Sequence, residues 1–382
     1  MFSKESRILS LTLLSSIILL SLSFTEGFLV EASYSSLSVK SFSQKKSCVV
    51  YKKSFGQIDQ RIQYETIVKY GLSAWRKNIS KMGFIFLPVV HSFSLLYSLE
   101  KWYDSHPMIE FATLVETTIT IRFVDGTYVL LIDPLECYKP FFTYDNRYFL
   151  SNVFSAYTHG RGDEKDAVVL NPSQYLYGRW HCQKIMDSLS SIGYNVMYRA
   201  DEYVDLGYIE NNLTAEIIYM NTHAGYWDID GDGRADTVVI ATGEKWSNET
   251  VDRYRFEYEN KMIVRGMVGE ICFVAFTPAL IKYCYESVPM PGSLVYMATC
   301  HAAYDDSMAK SFLSSGASVY IGWSRNTFFW TNSLSSIVAF KLLCRGFTVE
   351  RVCRIVGYGG ICNFLFRSKL TYYGKGDFRI VC

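Results

Sequence analysis

The chain contains the stretch EIIYMNTH at residues 216–223 and the stretch SLVYMATC at residues 293–300. Each is a short apolar run that ends on a reactive side chain, His223 in the first and Cys300 in the second. Apolar runs of this length are typical of buried strands in a parallel sheet, and ligands bind beyond the carboxyl ends of such strands. If the two strands are neighbours, an imidazole and a thiol come within reach of each other.

Apolar runs alternate with segments of helical periodicity from Asp166 onward. The pattern predicts strands at 167–170, 195–198, 216–220 and 319–321, and helices near 182–189, 308–313, 331–344 and 349–356. Such alternation favours a parallel sheet with right-handed crossovers. The sequence therefore predicts an α/β fold over residues 161–382, with a mainly parallel sheet flanked by helices.

Residues 33–160 lack this alternation, and we expect them to form a smaller α+β accessory domain. Residues 56–82 have helical character. Two β-rich runs at 118–123 and 128–132 are separated by a segment that contains Asp125-Gly126, which predicts a hairpin.

Residues 1–32 have the composition of a targeting segment. A basic start, an apolar stretch from Ile8 to Phe24 and a small-residue site ending at Ala32 predict a signal peptide. The apolar stretch is also about long enough to form an uncleaved membrane anchor. Glycosylation sequons at Asn78, Asn212 and Asn248 agree with export. The sequence thus predicts a secreted or cell-surface glycoprotein.

Charge and cysteine spacing exclude some classes of function. The 38 basic and 37 acidic residues nearly cancel, which does not fit a nucleic-acid-binding protein. The ten cysteines include no C-x-x-C pair of the kind that binds zinc or exchanges disulfides.

His223 and Cys300 have the chemistry of a catalytic dyad. A thiol attacks a carbonyl group as the thiolate, so it needs a base to take its proton. In this hypothesis His223 is the base and Cys300 the nucleophile, while backbone N–H groups at Gly225 and Cys300 form an oxyanion hole. The alternative is a strand-end histidine and a buried thiol with no catalytic role.

Two other histidines are weaker candidates for the base. His159 precedes a glycine but lies in a polar stretch, 158–165, with no apolar strand before it. His301 directly follows Cys300, and successive residues of a strand point away from each other. We therefore predict that neither is the base.

The two strand ends, THAG at 222–225 and ATC at 298–300, resemble those of the caspase-like cysteine peptidases, the clan CD group of gingipains, clostripain, legumain and caspases. The segments 308–323 and 373–378 resemble the helix, strand and closing strand that follow the nucleophile in gingipain-like members. The resemblance implies that His223 is the general base and that Cys300 forms a thioester acyl-enzyme. The family usually has glycine directly after the histidine, where this chain has Ala224.

The segment DIDGDGRAD at 228–236 places carboxylates at loop positions 1, 3, 5 and 9, with glycine at position 6. Calcium prefers several oxygen ligands in such a tight loop. The predicted ligands are Asp228, Asp230, Asp232, the carbonyl of Arg234, and Asp236. Position 12 is Val239, which excludes a complete EF-hand, so another residue such as Glu244 would complete the site. An acidic surface turn without metal is the alternative.

These observations predict an exported cysteine endopeptidase with a structural Ca²⁺ ion and a polypeptide substrate. One alternative is an inactive caspase-like surface protein that binds calcium. The other is a transpeptidase or self-processing enzyme that uses the same thioester chemistry.

Overall fold

The computed structural model describes residues 60–80, 89–134, 165–360, 363–364 and 367–380, all within one compact unit. The fold is mixed α/β and contains two sheets, one of them mostly parallel, with helices on their faces. The α/β prediction is confirmed at this level. The predicted segments at 1–32 and around His159 lie outside the described residues.

The first sheet has six strands. Side by side they are β5 (Asn195–Ala200), β4 (Asp166–Asn171), β6 (Ile217–Asn221), β11 (Leu294–Ala298), β12 (Val319–Trp323) and β13 (Leu370–Gly374). The first five are parallel, and β13 runs antiparallel to β12. The strands predicted from apolar runs are confirmed, with their ends moved by one or two residues, whereas β13 begins three residues and ends four residues before the segment 373–378 that resembled a closing strand.

Both faces of the six-stranded sheet are covered, which explains its continuous apolar runs. In β6, Ile217 and Tyr219 face one hydrophobic core, and Ile218 and Met220 face the other. The first core contains α4 (Trp180–Ser190), α10 (Phe329–Leu343) and α11 (Val349–Val356). The second contains α5 (Leu206–Asn211), α8 (Pro278–Cys284) and α9 (Ser307–Ser314). The helices predicted in this half of the chain are confirmed.

The second sheet has seven strands and is mostly antiparallel. In order they are β1 (Ile109–Val115), β2 (Thr118–Phe123), β3 (Tyr128–Asp133), β9 (Ile263–Val268), β10 (Ile271–Phe276), β8 (Thr237–Lys245) and β7 (Ala224–Trp227). Helices α1 (Gln60–Ser80) and α2 (Val89–Asp104) pack on one face. The hairpin of β2 and β3 confirms the hairpin prediction.

Strands from both halves of the chain join in this seven-stranded sheet, because β3 pairs in parallel with β9. The sequence did not predict that pairing or strands β7 to β10. The separate accessory domain with a boundary at residue 160 stays a prediction, since residues 135–164 lie outside the described part of the chain.

Edge strand β7 packs back against β2. Its backbone N–H groups at Tyr226 and Asp228 donate to the hydroxyls of Thr118 and Thr120, each at 3.2 Å. A Cβ at Gly225 would overlap the Thr118 hydroxyl, so this close approach requires a glycine. Two N–H groups on this edge thereby find partners within the protein.

The described residues also contain the short helices α3 (Gln174–Tyr177), α6 (Thr250–Arg253) and α7 (Arg255–Glu259), and a 3-10 turn at Asp201–Tyr203. No helix among the described residues is both long and apolar enough to cross a membrane.

Gly243 of β8 should be intolerant of substitution. Its N–H donates to the carbonyl of Val204 at 2.9 Å, and an added Cβ would overlap the carbonyl of Asp201. This contact joins the seven-stranded sheet to the turn after β5. We expect Gly243→Ala to lower the free energy of unfolding by about 2–3 kcal/mol, because backbone has to move. Denaturant unfolding measures the change.

Gly207 of α5 is the matched control. A Cβ there would meet nothing closer than the Asp205 carboxylate at 3.7 Å. Gly207→Ala should therefore leave stability unchanged or raise it by up to about 1 kcal/mol. Equal effects of the two substitutions would refute the steric argument.

Candidate functional site

The pairing of β6 with β11 brings the two predicted reactive residues to one edge of the sheet. In the parallel register Asn221 lies opposite Ala298, and these are the last residues of their strands. His223 and Cys300 each follow two residues later. The two strands are direct neighbours, so the condition set by the sequence argument is met.

His223 lies where the chain passes from one sheet to the other. Its carbonyl accepts from the N–H of Ala241 in β8 at 2.9 Å, while β6 before it belongs to the six-stranded sheet. Its Nε2 lies 3.2 Å from the hydroxyl of Tyr177. The side chain is only 8% exposed, and burial lowers the pKa of His223 to about 4. The imidazole is therefore neutral at physiological pH.

Cys300 is partly exposed and lies at a turn after β11. Its Sγ accepts from the N–H of Thr327 at 3.3 Å and lies 3.4 Å from the carbonyl oxygen of the same residue. Two residues further on, the ring of Phe329 stacks on Tyr177 with 3.9 Å between centroids. The segment 327–329 thus contacts the thiol at one end and the partner of His223 at the other.

His301 has a structural environment. Its side chain is fully buried, and both ring nitrogens have partners. Its backbone lies in the left-handed region, with φ of +57°. Nε2 lies 2.6 Å from Oδ1 of Asn326, and Nδ1 contacts the hydroxyl of Tyr226. Burial lowers the pKa of His301 to about 3, so the ring is neutral. Because Oδ1 of Asn326 can only accept, Nε2 carries the proton and Nδ1 accepts from the Tyr226 hydroxyl. These contacts agree with the prediction that His301 is not the base.

The network around His301 extends to the hairpin of the seven-stranded sheet. The Thr117 hydroxyl donates to Oδ1 of Asn326 at 3.2 Å, and Arg325 forms an ion pair with Glu116 at 2.7 Å. Both partners belong to the turn between β1 and β2. The loop that contacts Cys300 is therefore held by the other sheet.

Gly225, the predicted second member of the oxyanion hole, lies in β7 opposite Val239 of β8. Its contact with Thr118 gives the glycine a packing role that the sequence did not indicate. Its role in an oxyanion hole, together with the N–H of Cys300, stays a prediction.

The acidic loop brings three of its predicted ligands together. Oxygen atoms of Asp228, Asp230 and Asp236 all lie within 4.8 Å of one another. Asp228 is fully buried, and its two oxygens accept from the N–H groups of Gly231 at 2.7 Å and Gly233 at 2.8 Å. Gly231 adopts φ of +82°, which favours glycine. Oxygen ligands about 2.4 Å from one calcium ion lie at most about 5 Å apart, so the cluster fits such an ion.

The remaining predicted contributors lie elsewhere or are engaged differently. Asp232 is not part of the cluster, and its carboxylate accepts from the N–H of Arg234 at 2.8 Å. Ligation by Asp232 and by the carbonyl of Arg234 stays a prediction. Glu244 was the wrong choice to complete the loop. Its carboxylate accepts from the N–H of Leu206 and the hydroxyl of Tyr254, and the seven steps along β8 from Thr237 to Glu244 span about 23 Å.

Sequence reasoning missed Tyr177 and Thr327. Tyr177 lies shortly after the carboxyl end of β4, the edge that also carries His223, and this position was the signal that could have identified it. Thr327 follows the end of β12 at the same edge. Comparison with known proteins adds nothing to this assignment, since no protein-family model and no curated protein matches the sequence.

We expect His301→Leu to destabilise the protein by about 2–4 kcal/mol. The change leaves the buried Tyr226 hydroxyl without its His301 partner, removes one of the two hydrogen bonds to Asn326 Oδ1, and places a leucine at positive φ. Adding Tyr226→Phe to His301→Leu should lower stability little further. A double-mutant cycle should therefore give a coupling energy of about 1 kcal/mol or more between the two residues. Chemical denaturation of the four proteins measures this coupling.

Tyr285→Phe is the control, because the Tyr285 hydroxyl is also buried but donates to the carbonyl of Ile209 at 2.6 Å. Its effect should add to that of His301→Leu. Additivity of His301→Leu with Tyr226→Phe as well would contradict the proposed network.

Proposed function

We propose that this protein is an exported, caspase-like cysteine endopeptidase in which His223 is the general base and Cys300 the nucleophile. The observation that carries the proposal is the register of β6 and β11, which brings both residues to one sheet edge. The mainly parallel sheet, the helix α9 with strand β12 after Cys300, and the antiparallel β13 agree with the family resemblance.

In this mechanism Cys300 transfers its thiol proton to His223, and the sulfur attacks the carbonyl carbon of the scissile peptide bond. The tetrahedral intermediate collapses to a thioester when the protonated imidazole gives its proton to the leaving amine. Water, deprotonated by His223, then hydrolyses the thioester and releases the carboxylate product and the thiol.

Tyr177 supports the role of His223 as a base. With Nε2–H donating to the Tyr177 hydroxyl, the neutral ring keeps its lone pair on Nδ1 for the thiol proton. Aromatic stacking of Tyr177 on Phe329 holds that hydroxyl in place.

We further propose that the acidic loop binds one structural calcium ion through Asp228, Asp230 and Asp236. Carboxylates this close repel one another unless a cation neutralises them. The loop begins five residues after His223, and β7 connects the two. When bound, the ion would supply only positive charge and loop order.

Cys300→Ala and His223→Ala should each lower peptide hydrolysis about 1000-fold or more, because either change removes a group that takes part in bond making. Cleavage of a mixed peptide library, read by mass spectrometry, also reports the unknown side-chain preference. A peptide bearing a thiol-directed electrophile should label Cys300 in the parent and much more slowly in His223→Ala.

Cys284→Ala is the control for general thiol reactivity. Cys284 is a half-buried free thiol, and burial raises its pKa to about 12. The substitution should leave cleavage and labelling unchanged. A parent protein that neither cleaves the library nor labels at Cys300 would favour the inactive surface protein. Product ligated to an added amine would favour the transpeptidase.

Chelation should lower the melting temperature by about 3–5 °C and reduce turnover, with calcium restoring both. The reason is that an unneutralised loop loosens the segment leading from His223. Asp230→Ala should show the same losses without rescue by calcium. Thermal unfolding and library cleavage, with and without the metal, measure both effects.

Asp187→Asn is the charge-matched control, since Asp187 is exposed on α4 and accepts from the side chain of Gln183. It should respond to chelator as the parent does. If the parent protein had the same melting temperature in chelator and in calcium, the loop would be an acidic surface turn that binds no metal.

A further inference from the structure

A buried chain of amide groups lies directly beneath the candidate site. Asn221 Nδ2 donates to Asn171 Oδ1 at 2.8 Å, and Asn332 Nδ2 approaches Asn221 Oδ1 at 3.4 Å. The same Asn332 Nδ2 donates to the carbonyl of Ala298 at 2.9 Å, while Trp323 Nε1 donates to Asn332 Oδ1 at 2.8 Å. These bonds join side chains and backbone from five separate elements.

The hydrogen-bonded amide groups lie in one layer of the six-stranded sheet. Asn171, Asn221, Ala298 and Trp323 are the last residues of β4, β6, β11 and β12. Asn332, from α10, lies across this layer and contacts three of them. His223 and Cys300 stand two residues beyond Asn221 and Ala298, so a shift of this layer moves both.

We propose that Asn332 is a positioning residue, which sets the separation between His223 and Cys300 by holding the ends of β6 and β11 with one amide group. This inference rests on the proposed peptidase function. Thiol-to-imidazole proton transfer needs hydrogen-bond reach, and about 1 Å of misplacement costs roughly 100-fold in rate.

Burial explains why the arrangement is rigid. Asn171, Asn221 and Asn332 are 0%, 1% and 4% exposed, so water does not replace a lost partner. An apolar side chain of similar volume could fill the position of Asn332 with comparable burial. What it could not supply is directional bonding to both strand ends, which is the property that the site requires.

The test uses the full chain with Asn332→Leu, which keeps the branched shape of the side chain, is somewhat larger, and removes all three hydrogen bonds. We expect kcat for library peptides to fall about 10- to 100-fold with KM changed less than about twofold. The rate of Cys300 alkylation by iodoacetamide at neutral pH should fall in parallel, because thiolate formation depends on His223. Both are measured well below the melting temperature of the variant.

Ser333→Ala is the matched control on the same helix. Ser333 is fully buried, and its hydroxyl has no partner among the described residues. It should retain the parent kcat and alkylation rate. If the leucine variant does not fold, Asn332→Asp replaces it in the test. Its buried carboxyl group, once protonated at low pH, can donate to the carbonyl of Ala298. The kcat of Asn332→Asp should therefore approach that of the parent, measured at the same pH, as pH falls.

The outcomes separate the two proposals. Parent-like kcat and alkylation in folded Asn332→Leu, or an equal loss in Ser333→Ala, would overturn the positioning role while leaving the peptidase intact. A kcat of Asn332→Asp that shows no recovery at low pH would also count against it. A parent protein whose Cys300 reacts no faster than in His223→Ala would overturn both proposals.

Discussion

Parallel hydrogen bonding between β6 and β11 is the constraint on which the candidate site depends. Because Asn221 pairs with Ala298, the residues two positions further along each strand emerge at one sheet edge. A slip of one residue would turn every side chain of β6 to the opposite face, so each core would receive side chains of the wrong size and shape. The two hydrophobic cores that determine this register therefore also determine where His223 and Cys300 lie relative to each other along the sheet edge.

His223 adds a second constraint, because it lies where the chain leaves one sheet and enters the other. Its backbone is bonded to β8, and the loop that contacts Cys300 is held by the β1–β2 turn through Glu116 and Thr117. The seven-stranded sheet thus holds both His223 and the loop that contacts Cys300. This arrangement explains why residues far apart in sequence are needed for one small constellation.

Calcium would act on the same junction in the proposed enzyme. The acidic loop follows β7, whose edge is bonded to Thr118 and Thr120 of β2. Asp228 begins the loop as a buried carboxylate held by two glycine N–H groups. Neutralising its charge would stabilise the end of the strand that starts next to His223. The proposed metal site and the proposed base are therefore linked through a strand of four residues.

The sequence by itself determined the local features: the strands that lead to His223 and Cys300, the helices that follow, the β2–β3 hairpin and the acidic loop. Apolar periodicity, turn residues and carboxylate spacing are local properties, so they can be read without knowing the fold. Tertiary structure alone decided that β3 pairs with β9, that Tyr177 reaches His223 and that Asn332 joins β6 to β11. Those contacts depend on which distant segments pack together, and burial energy over the whole chain, rather than any short pattern, makes that choice.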